Sequence, residues 1–371
     1  MGLDALVQGR SLTIAPQLSA VLATCSRQFS GAVLVRQGDR DLLKAAYGNA
    51  NRTWGIENQT DTRFRIASIS KMFTAIAILQ LIEQSHLNFT TPAAQRLGLE
   101  DTQISQTVTV YHLLTMTSGI ADWFEESGDW AENWATLCRE HPIYLLRRNR
   151  DYLPLFAHKP PLAQAGERYQ YSNAGYILLG LLIEQVSGLS YANYVRRHIF
   201  EPARMPHADF LALDGVYPGV AEGYVPVVEK DAVKGAVVDW KKNIYSATPE
   251  AAADGGATAT VDDLSRFMRS LLSGQLLSPE MTRAMLMPQV REAEPEADDD
   301  SVWEYGYGNE FLLNPSGQVL RWGHAGEEDG VSCRLFYYPQ QALEVVILGN
   351  QSDCAGSLGW EIHDLVVESA S

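Results

Sequence analysis

Ser68 and Lys71 stand three positions apart in RIASISKM (65–72), at the front of an apolar helical stretch. A serine hydroxyl is a poor nucleophile until a base removes its proton. Lysine can be that base when burial and nearby positive groups push its pKa well below about 10.4. Three residues apart on a helix, the two side chains share a face. A serine at a helix N-terminus also sets its own N–H where negative charge is stabilised. One helical turn can thus supply nucleophile, base and half an oxyanion hole. Taken alone the pattern is a weak signal, since chance occurrences as a surface serine and lysine on one helix face are common.

Two further stretches offer partners. YQYSNAGY (169–176) places Tyr171 and Asn173 just before a strong helical pattern. A phenol can relay a proton, and an amide can orient a substrate carbonyl and the lysine. By itself the stretch also reads as a turn with Asn173 as helix N-cap. WGHAGEEDGVSC (322–333) places His324 and Gly326 between two strand signals. Its glycines would let backbone approach a ligand closely, and a strand edge offers N–H groups to an acyl oxyanion. The plainer reading is a glycine-rich hairpin with a solvated histidine.

The elements that must position these residues follow from local patterns. FSGAVLVRQGDRDLLKAAYG (29–48) predicts two strands around a Gly-Asp turn. From Ser68 to about Gln84 apolar residues surround most of the helix, which predicts burial on nearly all sides. Short helices are expected over 109–119, ending at Gly119, and over 190–200, and a strong one over 172–188, ending at Gly188. GGATATVDDLSRF (255–267) predicts a helix with Thr260 as N-cap and Asp263 three positions on. REAEPEADDDS (291–301) reads as a solvated acidic loop. Strand signals return at 304–313, 318–323, 331–339 and 343–350, before a last helix over 359–370. Strands at both ends with helices between suggest a sheet built from both termini and an inserted helical region.

Composition narrows the function classes. The 371 residues are 46% apolar, enough for a sizeable core. The net charge of −16 disfavours nucleic acid and anionic membrane surfaces as partners. Four cysteines (Cys25, Cys138, Cys333, Cys354) form no CxxC pair and read as free thiols, and eight scattered histidines show no metal-ligand spacing. The N-terminus lacks a basic start followed by an apolar core, so a cytoplasmic location is expected.

In order along the chain, Ser68-x-x-Lys71, Tyr171-x-Asn173 and His324-x-Gly326 resemble the three-motif signature of the serine β-lactamase and penicillin-binding-protein superfamily. The Tyr-x-Asn and His-x-Gly versions resemble its class C β-lactamase-like branch, with D-aminopeptidases, D-amino-acid amidases, DD-peptidases and family VIII carboxylesterases. FRIASISKMFTA, LLTMTSGI (113–120), GGATATVDDLSRF and GHAGEEDG support the likeness, which runs over most of residues 29 to 350. The resemblance implies an α/β plus all-α fold: an antiparallel sheet flanked by helices (1–85 and 255–371), an inserted helical domain (86–254) and the site between them. It implies Ser68 as the acylated nucleophile and Lys71 as its proton acceptor or relay. Tyr171 would be the general base in acylation. Asn173 would position the substrate, and the N–H groups of Ser68 and Glu327 would form the oxyanion hole. His324 takes the place where β-lactamases of the superfamily usually carry lysine.

That departure bears on substrate. Histidine holds a carboxylate weakly near neutral pH. Asp122, Glu125, Glu126, Glu327, Glu328 and Asp329 are expected near the cleft and would repel an anion. The expected activity is therefore acyl transfer from an ester, an amide or a D-amino-acid peptide, with a neutral or cationic small-molecule or short-peptide substrate. β-Lactamase or DD-peptidase activity is less favoured, and an idle binding or sensor module of the same fold is the alternative from another class. Trp123, Phe124, Trp130 and Trp134 are expected either to wall an acyl pocket or to pack a loop. The mechanism requires no cofactor.

Overall fold

The computed structural model describes residues 14–25, 28–126, 128–228, 237–292 and 301–369. Strands β1 (Gly31–Gln37) and β2 (Arg40–Tyr47) form the hairpin expected around Gly38-Asp39. Among the described residues six short strands pair outside the main sheet: β3 (Asn49–Asn51) with β4 (Ile56–Glu57), β5 (Phe64–Arg65) with β8 (Thr258–Ala259), and β6 (Tyr224–Val228) with β7 (Val237–Lys242). The remaining strands are β9 (Val290–Arg291), β10 (Val302–Tyr305), β11 (Glu310–Leu313), β12 (Val319–Glu328), β13 (Val331–Tyr338) and β14 (Leu343–Gly349). The main sheet runs β2-β1-β14-β13-β12-β11-β10-β9, antiparallel throughout. It is built from residues 31–47 and 290–349, so both ends of the chain supply it.

The central strands read as continuous apolar runs because both faces are covered. Ala32 and Leu34 of β1, with Val346 and Leu348 of β14, join the core that contains the helix Lys71–Glu83. Val33, Val35, Val345 and Ile347 face the other way, toward two terminal helices. One is Gly356–Glu368, with Leu358, Ile362 and Val366 buried at four-residue spacing. The other, Ala15–Cys25, lies where the sequence reading placed no element, and it buries Leu18 and Leu22.

Other differences are local. The segment 304–313 is two strands, because Gly306 to Asn309 turn the chain, and Gly308 is left-handed (φ 71°) with no room for a Cβ beside the Lys71 carbonyl. The helix expected over 109–119 covers only Val110–Leu114, and Gly119 sits in the loop after it. His324 lies inside β12, and the hairpin turn falls later, at Asp329-Gly330, so a glycine-rich loop at His324 is not what forms. Arg291 is paired to Glu304 in β9, and 293–300 of the acidic run lie outside the described residues. Among the described residues no single helix is long and apolar enough to cross a membrane.

The helix behind Ser68 is apolar all round, and ten of its thirteen residues are buried. It packs against Asn173–Ser187, the strongly apolar helix that Gly188 ends in a left-handed cap, as expected. Phe73 is held edge-on between Phe200 (5.1 Å) and Phe267 (4.8 Å). Phe73→Ala should cost about 3–5 kcal/mol, seen as a lower urea midpoint with an unchanged slope.

Candidate active site

The nucleophile candidate sits on a strained turn. Ala67–Ser70 form a 3₁₀ turn that runs directly into Lys71–Glu83. Ala67 is left-handed (φ 43°), a conformation that costs a residue with a Cβ of order 1–3 kcal/mol. Three hydrogen bonds pin it: the Gly256 N–H (3.1 Å) and the Ser70 hydroxyl (2.8 Å) both donate to the Ala67 carbonyl, and the Ala257 N–H donates to Ser70 Oγ (3.0 Å). β12 presses on the same turn, since a Cβ on Gly326 would lie 2.3 Å from the Ile66 carbonyl oxygen. Gly326 is thus required by this close approach.

Lys71 has no solvent-exposed surface. Its Nζ lies 2.9 Å from Ser68 Oγ, 2.8 Å from Asn173 Oδ1 and 2.6 Å from the Asp254 carbonyl oxygen. Burial pushes its ammonium down from the ordinary lysine value, and Asp254, Glu126, Asp122 and Glu310 partly offset this. The Tyr171 ring lies 4.9 Å from Nζ. Burial pushes the Tyr171 phenol well up, Glu126 adds to the rise, and a side-chain hydrogen bond with Ser68 opposes it.

Asn173 is the first residue of its helix, and the N-cap is Ser172, whose Oγ accepts from the Gly175 N–H at 3.0 Å. Asp122 holds this helix end, accepting from the N–H groups of Asn173 (2.7 Å) and Ala174 (3.0 Å), a favourable place for an anion. Burial still raises Asp122 to about 7. The Asn173 amide N–H donates to Glu126 Oε1. Asn173 therefore bridges Lys71 and Glu126.

Ser68, Trp123, Phe124, Glu126, Trp130, Trp134, Asn173 and Glu327 line one cavity. The four aromatic residues pack together there, with Phe124 4.6 Å from Trp130 and 5.5 Å from Trp134. They are both cavity wall and loop packing. The Trp123 indole N–H donates to Asp254 Oδ2 (2.9 Å), and burial raises that carboxyl to about 6.

His324 does not line this cavity. Its side chain is 1% exposed and stands behind Tyr171, ring centroids 6.4 Å apart. Nδ1 lies against the Ala325 carbonyl oxygen, and Glu310 Oε1 is 3.3 Å away. A carbonyl only accepts, so Nδ1 carries the proton and Nε2 accepts from the Tyr305 hydroxyl (3.1 Å). Burial pushes the imidazole down, with Glu310 opposing, so the ring is neutral near pH 7.

Three of the six expected carboxylates are committed elsewhere. Asp122 caps a helix. Glu328 pairs with Arg65, and Glu327 accepts from Ser332 Oγ (2.9 Å) and pairs with Arg334. Glu126 is the one that meets Asn173 on the cavity wall. Asp254, Arg65, Tyr305 and Glu310 were missed from sequence. Asp254 immediately precedes the Gly255-Gly256 pair, yet nothing local distinguishes it from a turn aspartate. Cys138, Cys333 and Cys354 are free thiols, and the Cys25 side chain lies outside those described.

Residues 15–361 match the Beta-lactamase family. The chain belongs to that family. It is a member of the serine hydrolase superfamily, with the antiparallel sheet and helices of that fold. It is 28% identical over 342 residues to penicillin-binding protein 4* of Bacillus subtilis (strain 168), covering 88% of this chain and 69% of that protein. It spans 59% of the length of two further curated relatives. A solved penicillin-binding protein from Bacillus halodurans superposes with a TM-score of 0.83 at 36% identity, covering 94% of this chain and 99% of the other. A D-stereospecific amidohydrolase from Streptomyces sp. shares the fold, at TM-score 0.75 and 24% identity over 97% of this chain and 98% of its own.

Gly326→Ala drives a methyl into the Ile66 carbonyl and shifts the Ser68 turn. The expected outcome is a roughly 10²-fold loss of esterase kcat in a protein that still unfolds cooperatively, checked by parallel kinetics and thermal melts.

Proposed function

We propose that this protein hydrolyses esters or amides through an acyl-enzyme on Ser68. The observation that carries the reading is the environment of Lys71. Two of its three partners, the Asn173 amide oxygen and the Asp254 carbonyl, can only accept. A neutral amine donates one N–H to each and turns its lone pair to the third, the Ser68 O–H. Burial favours that neutral form.

In this reading Ser68 Oγ attacks the substrate carbonyl and Lys71 takes its proton. The N–H groups of Ser68 and Glu327 hold the oxyanion. As the tetrahedral intermediate collapses, the bond to the leaving group breaks. The leaving group receives a proton from the Tyr171 phenol, which is refilled from Lys71. Water then repeats the sequence on the ester of Ser68, releasing the acid and restoring the hydroxyl. The sequence reading gave Tyr171 the part of base. A phenol pushed up by burial keeps its proton near neutral pH, so here Lys71 is the base and Tyr171 the relay. His324 acts on Tyr305 and Glu310 and does not touch substrate. The cleft is read as lying between residues 1–85 with 255–371, which supply Ser68 and Lys71, and residues 86–254, which supply Tyr171 and Asn173.

Wild-type protein should hydrolyse p-nitrophenyl butyrate, and Ser68→Ala should lose at least ~10³-fold in kcat. Equal rates in the two would overturn the reading. Because deprotonated Lys71 is the active form and its pKa is depressed, kcat/KM should rise with pH to a plateau whose midpoint lies below about 10.4. Lys71→Arg, protonated at all working pH values, should be inactive across the profile.

A further inference from the structure

We infer that an arginine-lined cleft between the turn 201–206 and the helix Val261–Leu272 binds a small organic phosphate. The cleft shares no lining residue with the Ser68 cavity, so it stands apart from the reading of Ser68. Three observations carry it.

The first is charge. The chain carries a net charge of −16. Yet one hollow of about 410 Å³ is lined by Ala203, Arg204, Arg266, Arg269, Ser270 and Gln275, with no carboxylate among them. Arg266 and Arg269 are exposed and three positions apart on one helix. Like charges so placed repel, and an anion between them relieves the repulsion. Their own acidic partners hold them weakly. Asp263 meets Arg266 only at 3.5 Å and is itself bound into the Thr260 cap, and Asp39, which meets Arg269, is 88% exposed. Arg204 makes no ion pair and no side-chain hydrogen bond among the described residues.

The second is the way Arg204 is held. Its N–H donates to the Glu201 carbonyl (3.1 Å), and the Met205 N–H donates to the Phe200 carbonyl (2.9 Å). This is the pattern that ends a helix on a left-handed residue. Arg204 is that residue, with φ 54°, at a place that glycine fills best. Its side chain does nothing for the backbone, and its guanidinium donors remain for a ligand. Gln275 Nε2 donates to the Pro202 carbonyl (2.6 Å), which ties the turn to the segment after the helix and fixes the cleft wall.

The third is the adjoining space. Arg204 and Arg266 also wall a second hollow of about 600 Å³, which Phe200, Met205, Pro206 and Ala208 line with apolar surface. The Phe200 ring is fixed there by stacking on Phe210 at 5.5 Å. Of the two acids in this hollow, Asp209 is paired with Arg196 at 2.6 Å, and Glu201 is the other. Charged and apolar walls thus meet at Arg204 and Arg266. A phosphate monoester matches both: its oxygens suit guanidinium forks, and its alkyl or aryl group suits the apolar wall. A soluble ester and a phospholipid headgroup both present this group. The net charge opposes approach to an anionic membrane surface, so the soluble ester is assigned.

The test is calorimetric titration of the full chain with phenyl phosphate at low ionic strength, where saturable binding is expected. Arg204→Gly suits the left-handed backbone. It should melt no lower than wild type without ligand, while its affinity falls roughly tenfold or more. Arg266→Gln should lose affinity to a similar extent. Arg197→Gln, an exposed arginine outside both hollows, should bind as wild type does. No saturable binding, or an equal loss in Arg197→Gln, would overturn the site. Inorganic phosphate should bind more weakly than phenyl phosphate, and equal affinity would overturn the organic ligand. Vesicles containing phosphatidate should not pellet the protein. Pelleting that Arg204→Gly abolishes would overturn the soluble ester in favour of a lipid headgroup.

Discussion

The arrangement depends on one buried amine. Enclosing a lysine without exposed surface is expensive unless every polar atom around it is matched. Here Ser68, Asn173 and the Asp254 carbonyl match Nζ completely. Each comes from a different part of the chain, so the amine can be enclosed only when the 3₁₀ turn, the helix at Asn173 and the loop at Asp254 have all docked. The loop is tied in turn, since Thr74 Oγ1 donates to the Ala253 carbonyl and the Ala253 N–H donates to Asn149 Oδ1. Low polarity then does double service, tightening these hydrogen bonds and holding Lys71 closer to its basic form.

Strain in the Ser68 turn is supported by the same packing. A left-handed Ala67 survives because β12, the Gly255–Ala257 segment and Ser70 leave it no alternative. The glycines in this region serve close approach: Gly326 against Ile66, and left-handed Gly256 (φ 89°) beneath the Arg65 guanidinium. The motif glycine that the sequence reading assigned to ligand approach makes its closest approach to the protein's own backbone.

His324 shows how a position can keep its place in a motif and change its use. An exposed lysine there would offer a charge to substrate. The imidazole instead is enclosed, with both nitrogens engaged by Ala325 and Tyr305 and with Glu310 alongside. It buttresses the tyrosines behind the site.

The sequence by itself determined much of the order of elements, the helix Ala15–Cys25 excepted, and the candidate reacting groups. Alternation and turn residues specified the β1–β2 hairpin, the Thr260–Asp263 capping box was read directly, and Gly188 marked its helix end. These are local effects, set within a few residues. Ser68, Lys71, Tyr171 and Asn173 were legible because the chemistry restricts residue type and spacing, and the fold brings all four together. What only the tertiary structure decided is how charges are shared. Six neighbouring carboxylates look alike in sequence. Packing makes Asp122 a helix cap, gives Glu327 and Glu328 to arginines and leaves Glu126 on the wall. It likewise made Asp254 a partner of Lys71 across 183 positions and hid His324. A carboxylate's role depends on which donor reaches it and how much water remains, and both are fixed by contacts between segments far apart in the chain.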